Sequence, residues 1–185
     1  IADVLVGKYN PSGKLPMTFP RHVGQCPIYY NHKSTGRAWA PNNPWVSGYM
    51  DESVRPAYAF GYGLSYTTFE IAAPVMSKKE YTTGESVVLT TSVRNTGKYT
   101  GKETIQLYLQ DVASSVTRPV IELCGIQQVE LAPGDTKEIK FTLSEQDFGF
   151  FNAERKFITE PGGFKLFVGN SSDNLKGTEF ELIVK

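Results

Sequence analysis

The chain has 185 residues, which is room for one domain of ordinary size together with part of a second. Its 19 basic and 19 acidic residues balance, and 40% of its residues are hydrophobic, as in a typical globular protein. This composition excludes the basic stripe of a nucleic-acid-binding protein, and no apolar run reaches the roughly 18 residues of a membrane-spanning helix. We therefore expect neither nucleic acid nor membrane among the partners of the chain.

The first seven residues have the pattern of a helix end. Residues 1–6 are mostly apolar, no capping residue precedes them, and Gly7 is a typical residue after a helix C-terminus. We expect the sequence to begin inside an element of a longer chain. The lack of a signal peptide then carries no information on the compartment.

Residues 10–66 are dense in proline and glycine, which predicts an irregular segment without long helices or strands. A flexible linker would be polar and poor in aromatic residues. This segment is rich in them, so we expect it to be packed against another surface. Its aromatic residues, with the first one beyond it, include Tyr29, Tyr30, Trp39, Trp45, Tyr49, Tyr58, Phe60, Tyr62, Tyr66 and Phe69.

From about residue 69 onward, short runs alternate between apolar and polar residues, which is the pattern of half-buried strands. About seven such strands over roughly 115 residues indicate an immunoglobulin or fibronectin type III sandwich, and the missing Cys…Trp…Cys core favours the fibronectin type. The predicted fold class is therefore an all-β antiparallel sandwich. The predicted inward residues are Val87, Leu89, Thr91, Val93, Ile105, Leu107, Leu109, Ile139, Phe141, Leu143, Phe164, Leu166, Val168, Phe180, Leu182 and Val184, and the predicted turns lie at 83–84, 95–97, 133–135, 161–163 and 170–172.

Few residues could carry acid–base, nucleophilic or metal chemistry. His22 and His32 lie ten residues apart in the irregular segment, and Cys26 and Cys124 lack any metal-ligand spacing, so we expect no metal and no cofactor. We interpret both cysteines as reduced thiols, with one disulfide as the alternative. The acidic pair at 145–147 predicts a helical turn with its carboxylates at the positive end. No nucleophile elbow or phosphate-binding loop occurs, so no complete active site is expected.

One stretch, residues 29–39 with Trp45 beyond it, combines aromatic rings with polar donors. Sugars bind to such mixtures because their C–H faces lie on aromatic rings while their hydroxyls need fixed donors and acceptors. Packing against a neighbouring domain is the alternative interpretation, and it is the one we favour.

Several blocks resemble the C-terminal region of family 3 glycoside hydrolases, the β-glucosidase and β-xylosidase group. These are Asn10–Pro20 (NPSGKLPMTFP), Tyr29–Arg37 (YYNHKSTGR) and Phe60–Phe69 (FGYGLSYTTF). Further blocks resemble the fibronectin type III-like domain of that family, at residues 93–97, 101–103, 106–108, 114–119, 122–123, 131–135 and 161–164. The resemblance covers essentially the whole chain.

Enzymes of this family join a TIM-like barrel, an α/β sandwich and, in many members, the fibronectin-like domain. The resemblance places the aspartate nucleophile in the barrel and the acid/base before the first residue of this chain. A retaining mechanism needs both carboxyl groups about 5–5.5 Å apart, and this chain supplies neither. The implied partners are the catalytic domains of the same polypeptide and, through them, a β-linked glycoside. A secreted or periplasmic location is also implied.

The resemblance further implies a division of the chain into the tail of an α/β domain (1–20), a connecting segment (21–65) and the fibronectin type III-like domain (66–185). The resemblance also implies that the loop around His32 to Arg37 can approach the substrate pocket. The candidate substrate-proximal residues are accordingly His32, Lys33, Arg37, Trp39 and Trp45.

The leading hypothesis is a structural module of a β-glycosidase that is inactive alone. The alternative is a stand-alone carbohydrate-binding module, which would need exposed aromatic residues on the sandwich. Residues 70–185 contain no Trp, and most of their Phe and Tyr residues fall on inward positions. A third hypothesis, an adhesion-type fibronectin domain, leaves the blocks at 10–20 and 60–69 without explanation.

Overall fold

The structure is a computed structural model that describes residues 1–40, 43 and 45–183. Within them, two short α-helices and a 3-10 turn accompany eleven strands. The helices are α1 (Ala2–Leu5) and α2 (Glu145–Phe148), and the 3-10 turn is Val23–Gln25. The strands are β1 (Phe69–Ile71), β2 (Val75–Met76), β3 (Glu80–Thr82), β4 (Val87–Asn95), β5 (Gly101–Asp111), β6 (Glu122–Leu131), β7 (Thr136–Leu143), β8 (Phe150–Phe151), β9 (Phe157–Ile158), β10 (Gly162–Ser171) and β11 (Asn174–Ile183).

The strands form two packed sheets and one small hairpin. In the first sheet, β4 pairs with β7 on one side and with β1 and β2 in succession on the other. The second sheet has the order β3-β11-β10-β5-β6, and β8 pairs with β9 alone. All pairs are antiparallel except β3 with β11. If β1 and β2 are counted as one edge strand and β3 as an addition, the sandwich has seven principal strands, and the predicted fold class is confirmed.

The core lies between the two sheets and is made of the residues that alternation pointed inward. Every predicted inward residue is buried except Val184, which lies outside the described residues, as does Lys185. Phe148, Phe164 and Phe180 add an aromatic cluster with ring centroids 5.3 to 5.7 Å apart. Each such ring contributes about 1.5–3 kcal/mol by its burial.

The alternation of apolar and polar residues did not reveal strand β6, because a β-bulge interrupts it. Leu107 pairs with Gly125 while Tyr108 pairs with Leu123, so Cys124 is an extra residue in the ladder. An extra residue reverses which face later side chains occupy. Ile126 is accordingly exposed, and no continuous inward stripe can be seen in the sequence.

Two predicted turns are shifted. Strand β10 already begins at Gly162 and continues to Ser171, so the β10–β11 turn lies at residues 172–173. The predicted breaks at 161–163 and 170–172 are therefore wrong by about two residues, because backbone pairing with β11 extends into both. The turns at 83–84, 95–97 and 133–135 follow β3, β4 and β6 as predicted.

Both short helices form where the sequence predicted them. Helix α1 is followed by Gly7, whose φ of 74° lies in the left-handed region that favours glycine. At the start of α2, the Asp147 carboxylate accepts hydrogen bonds from the Ser144 backbone N–H at 2.6 Å and from its hydroxyl at 2.8 Å. This pairing satisfies a backbone donor at the helix N-terminus.

Residues 10–20 and 57–66 lie side by side as an antiparallel pair, which we call the ribbon. The Leu15 N–H donates to the Tyr62 carbonyl at 2.8 Å, and the Phe19 N–H donates to the Tyr58 carbonyl at 2.8 Å. The predicted irregularity is confirmed, since the pairing amounts to an isolated bridge. The intervening residues leave the ribbon and return to it at nearly the same point.

Candidate functional site

The outer face of β5 forms the floor on which the ribbon lies. Residues 105–109 of β5 are all buried, so this strand is covered on both faces. Ile105, Leu107 and Leu109 face the core, whereas Gln106 and Tyr108 face the ribbon. Alternation predicted the first set, and the burial of the second set follows from the ribbon above it.

Gln106 joins three parts of the chain beneath the ribbon. Its amide nitrogen donates to the carbonyls of Gly61 at 3.2 Å and Asn170 at 2.9 Å, and its oxygen accepts from the Tyr108 hydroxyl at 2.6 Å. Burial raises the pKa of Tyr108, which keeps the hydroxyl protonated as a donor. A buried amide with all these partners fixes the ribbon to the sheet in one register.

An ion pair holds the edge of the same ribbon. Lys14 Nζ lies 2.7 Å from Glu103 Oε1, and both side chains are largely buried. Glu103 also accepts from the Asn170 side-chain amide at 3.3 Å. Sequence reasoning missed this pair, since Lys14 and Glu103 are separated by nearly half of the chain and each looks like an ordinary surface charge.

Asn10 closes the start of the ribbon against the sandwich. Its side-chain oxygen accepts from the Ser65 hydroxyl and the Tyr66 N–H, both at 2.8 Å, and its nitrogen donates to the Thr100 carbonyl at 2.9 Å. The Tyr66 hydroxyl in turn donates to the Val4 carbonyl at 2.6 Å. These bonds connect α1, the ribbon and the β4–β5 turn.

The five predicted substrate-proximal residues lie in a loop, residues 29–48, that leaves the ribbon. Tyr30 anchors it, because its ring stacks on Phe60 at 4.5 Å and meets Tyr108 edge-on at 5.6 Å. Its hydroxyl also accepts from the Leu123 N–H at 3.4 Å. Aromatic pairs of this kind contribute about 0.5–1.5 kcal/mol beyond their burial.

His32 and Lys33 form the base of the loop. Lys33 makes an isolated antiparallel bridge with Pro119, and the Val120 N–H donates to the His32 carbonyl at 2.9 Å. Both side chains are exposed. His32 Nδ1 lies 3.1 Å from the Lys33 carbonyl oxygen, so this nitrogen carries the proton in that contact.

Arg37, Trp39 and Trp45 lie in the outer part of the loop. The Ser47 N–H donates to the Arg37 carbonyl at 2.9 Å, which folds this part back on itself. Trp39 lies against Gly48, where an added Cβ would come within 3.1 Å of the indole. Trp39 is 49% exposed and Trp45 is 80% exposed. The structure therefore gathers the five residues in one exposed loop, with no hydrogen bond between their side chains among the described residues.

Arg118 lies beneath the base of this loop and was not singled out from the sequence. Its guanidinium contacts Asp111 Oδ2 at 3.3 Å and Glu122 Oε2 at 2.7 Å, and it donates to the Phe148 carbonyl at 2.7 Å. It also lies over the Phe150 ring at 5.2 Å. Burial raises the pKa of Asp111 above its ordinary value, and the Arg118 charge works against that rise.

Exposed apolar side chains are concentrated in the first third of the chain. Most of the large ones lie in residues 1–66, whereas the sandwich buries most of its large apolar residues and exposes only a few, such as Ile126, Phe151 and Phe157. An exposed apolar set of this size is expected where another protein surface covers part of the chain. Its members are Ile1, Leu5, Val6, Tyr9, Met17, Phe19, Val23, Tyr29, Trp39, Trp45, Tyr49, Met50, Tyr58, Leu64 and Tyr66.

No group of three or more His, Cys, Asp or Glu residues in the described part of the chain is placed to hold a metal ion. Among the same residues, no helix has the length and apolar character needed to cross a membrane. Cys26 and Cys124 are both free thiols.

The sandwich is a fibronectin type III-like domain. The residues before it, which carry most of the exposed large apolar side chains, are part of a second domain. Residues 103–172 match the model of the fibronectin type III-like domain, and residues 1–66 match that of the glycosyl hydrolase family 3 C-terminal domain. The chain belongs to glycosyl hydrolase family 3 and corresponds to the C-terminal region of enzymes of that family. This confirms the family resemblance.

Similar proteins of known name include a periplasmic beta-glucosidase of Salmonella typhimurium, 46% identical over 185 residues, and a beta-xylosidase of Formosa agariphila, 36% identical over 178 residues. The matches cover 99% and 95% of this chain but 24% of each relative. The crystal structure of a beta-glucosidase from Listeria innocua in complex with glucose superimposes with a TM-score of 0.92 at 43% identity, over 98% of this chain and 25% of that one. The chain thus spans about a quarter of the length of these relatives.

Proposed function

We propose that the chain is a non-catalytic structural module of a β-glycosidase, which stabilises the catalytic domains of the same polypeptide. The observation that carries this proposal is the concentration of exposed large apolar side chains in residues 1–66, beside a sandwich with a well-filled core. Exposed apolar side chains in such number are typical of a surface that contacts another protein surface. The β-glucosidases that the chain resembles, about four times its length, supply domains that would cover it.

The carboxylates of the chain favour a supporting role over a catalytic one. A retaining glycosidase needs one carboxylate as nucleophile and one carboxylic acid as proton donor, on opposite sides of the scissile bond. Asp111 and Glu122 come together in the structure, but both are bound by Arg118. Glu103 is likewise engaged by Lys14 beneath the ribbon. These groups are occupied in holding the fold.

We further propose that the loop 29–48 lies beside the substrate of the parent enzyme, where it offers His32, Lys33, Arg37, Trp39 and Trp45. Support comes from the exposure of both indoles in the same loop as the exposed Lys33 and Arg37 side chains. Aromatic faces and charged donors together suit the two kinds of surface that a sugar presents. Packing of the same loop against a catalytic domain, without sugar contact, is the competing role.

The alternative of a stand-alone carbohydrate-binding module has weaker support. Such a module needs exposed aromatic rings that lie flat under a sugar chain. On the sandwich, Phe151 and Phe157 are exposed, but their rings meet edge-on at an interplanar angle of 69°. Tyr81, Tyr108 and the phenylalanines of the core are buried. Affinity electrophoresis of the chain in cellulose, xylan and laminarin would detect a binding module as retarded migration.

Two measurements test the proposed function. The chain alone, assayed on an aryl β-glucoside, is expected to show no turnover above background, and saturable hydrolysis would contradict the proposal. The parent enzyme without these residues is expected to lose activity and to regain part of it when the chain is added in trans. If the shortened enzyme keeps its full activity and thermal stability, the stabilising role is wrong.

A further inference from the structure

Arg118 ties together four elements of the sandwich, two of them adjacent to it in sequence and two about 30 residues away. Its two terminal nitrogens reach the end of β5, the start of β6 and the last carbonyl of α2, and its plane covers the ring of Phe150 in β8. Its side chain is only 9% exposed. A planar guanidinium with fixed donors on several sides has one orientation in such a site, and lysine could not reproduce it.

The residues directly after Arg118 carry the base of the loop 29–48. Pro119 bridges to Lys33, Val120 donates to the His32 carbonyl, and Leu123 donates to the Tyr30 hydroxyl. Residues 118–123 therefore act as a rail along which residues 30–33 are held. The orientation of the rail depends on Arg118, since this side chain fixes its first residue to the sandwich.

The described residues in the outer part of the loop make no hydrogen bond to the sandwich. The hydrogen bonds of the described residues between 34 and 48 stay inside the loop, as between Ser47 and Arg37 or between the hydroxyls of Thr35 and Ser47. A segment with few contacts to the core opens locally at a low free-energy cost, so its position depends strongly on the residues that anchor it. The position of Arg37, Trp39 and Trp45 is then set where the loop meets the rail.

We infer that Arg118 is a positioning residue that holds the loop 29–48 in place, and through it the side chains offered to the substrate. The inference rests on the proposed function, in which this loop lies beside the sugar. It assigns a role in substrate binding to a buried residue of the sandwich that touches no substrate. Loss of Arg118 is expected to weaken substrate binding and to leave the chemical step nearly unchanged.

The experiment uses the full-length parent enzyme with three variants and one control. Arg118→Met removes the guanidinium, and Arg118→Lys keeps a charge but loses the planar fork. Val120→Pro removes the N–H that binds the His32 carbonyl and leaves the Arg118 contacts intact. Arg94→Met is the matched control, because Arg94 is an exposed arginine of β4. Hydrogen exchange of residues 34–48 and the values of kcat and KM are measured for each.

We expect exchange in residues 34–48 to become about tenfold faster in Arg118→Met and in Val120→Pro, with amides of β4 and β7 unchanged. KM for an aryl β-glucoside should rise about three- to tenfold at nearly constant kcat, and Arg118→Lys should recover part of both losses. Arg94→Met should behave as the parent. If Arg118→Met does not fold, Val120→Pro alone decides whether the rail holds the loop.

Two results would overturn the inference in different ways. Parent-like exchange of residues 34–48 in folded Arg118→Met, or in Val120→Pro, would show that the loop does not depend on the rail. Faster exchange with unchanged KM would show that the loop is held by Arg118 but does not contact the substrate. That second outcome would refute the sugar contact and leave the stabilising role of the chain untouched.

Discussion

Replacing Lys14 by methionine tests how the ribbon is held on the sandwich. The substitution keeps most of the aliphatic stem and removes the ammonium group that lies 2.7 Å from Glu103. The Glu103 side chain is 7% exposed, so its charge cannot turn to water. It keeps hydrogen bonds from its neighbour Thr104 at 2.8 Å and from Asn170 at 3.3 Å.

The size of the expected loss of stability follows from the Glu103 charge, which the substitution leaves buried without its partner. Removing one partner of a buried ion pair costs about 3–5 kcal/mol, and the two remaining hydrogen bonds reduce this to about 2–3 kcal/mol. For a chain of this size the loss corresponds to a fall in Tm of about 4–12 °C. Glu103→Gln should cost only about 1 kcal/mol, because Lys14 is 15% exposed and its ammonium can reach water.

Urea unfolding of the single variants and of the double variant measures both losses and their coupling. Lys102→Met is the matched control, since Lys102 lies 3.9 Å from Glu130 with both side chains well exposed, and its loss should stay below about 0.5 kcal/mol. If Lys14→Met costs no more than Lys102→Met, the ion pair does not hold the ribbon. Equal losses of stability for Lys14→Met and Glu103→Gln would refute the assignment of Glu103 as the more deeply buried charge of the pair.

Three further outcomes are expected. Gly63→Ala should lower the free energy of unfolding by about 1–3 kcal/mol, since a Cβ there would overlap the Gly13 carbonyl oxygen, as urea unfolding can check. Asn95→Ala should cost about 2–4 kcal/mol in the same assay, because the fully buried Asn95 amide donates to two carbonyls at 2.8 and 2.9 Å. Ellman's reagent at pH 8 should modify the exposed Cys26 at once and Cys124 only after denaturation, because burial raises the pKa of Cys124 to about 12.

Each of these outcomes has a control or a contrary result. Gly13→Ala should be nearly neutral, since nothing lies within 4 Å of its added Cβ. An Asn95→Ala variant as stable as the parent would mean that water replaces the amide. The folded pKa of Cys124 exceeds its ordinary value of 9.0, so the stability that it contributes is complete below about pH 9 and is lost as the pH rises toward about 12. Cys124→Ala should therefore flatten the alkaline loss of stability.

The sandwich could be predicted from the sequence because its core obeys a local rule. Strands with one face inward repeat every two residues, and Val87–Val93 or Phe164–Val168 show that repeat without interruption. Strand β6 does not, since the bulge at Cys124 breaks the repeat. The pairing within the ribbon also has no local signal, because its prolines and glycines mark only the absence of regular structure.

The residue types of the candidate site could be predicted from the sequence, but the contacts that hold its loop in place could not. Residues 29–39 with Trp45 stood out because aromatic and polar residues are mixed in them, and apart from the anchoring Tyr30 the structure shows their aromatic and cationic side chains to be exposed. Arg118 could not be singled out, since Asp111, Phe148 and Phe150 reach it only after folding. The division of the chain at residues 20 and 65, and the sugar contacts themselves, stay predictions.

The segment between Phe19 and Tyr58 begins and ends at the same point of the ribbon, and this has a consequence for protein engineering. Because Phe19 and Tyr58 are hydrogen-bonded to each other, both ends of the intervening segment are fixed at one point. The entropy of closing a flexible loop grows only logarithmically, so doubling its length costs about 0.6 kcal/mol. Grafts of different length could therefore be exchanged between these two ends, with the sheet underneath serving as a constant base for new specificities.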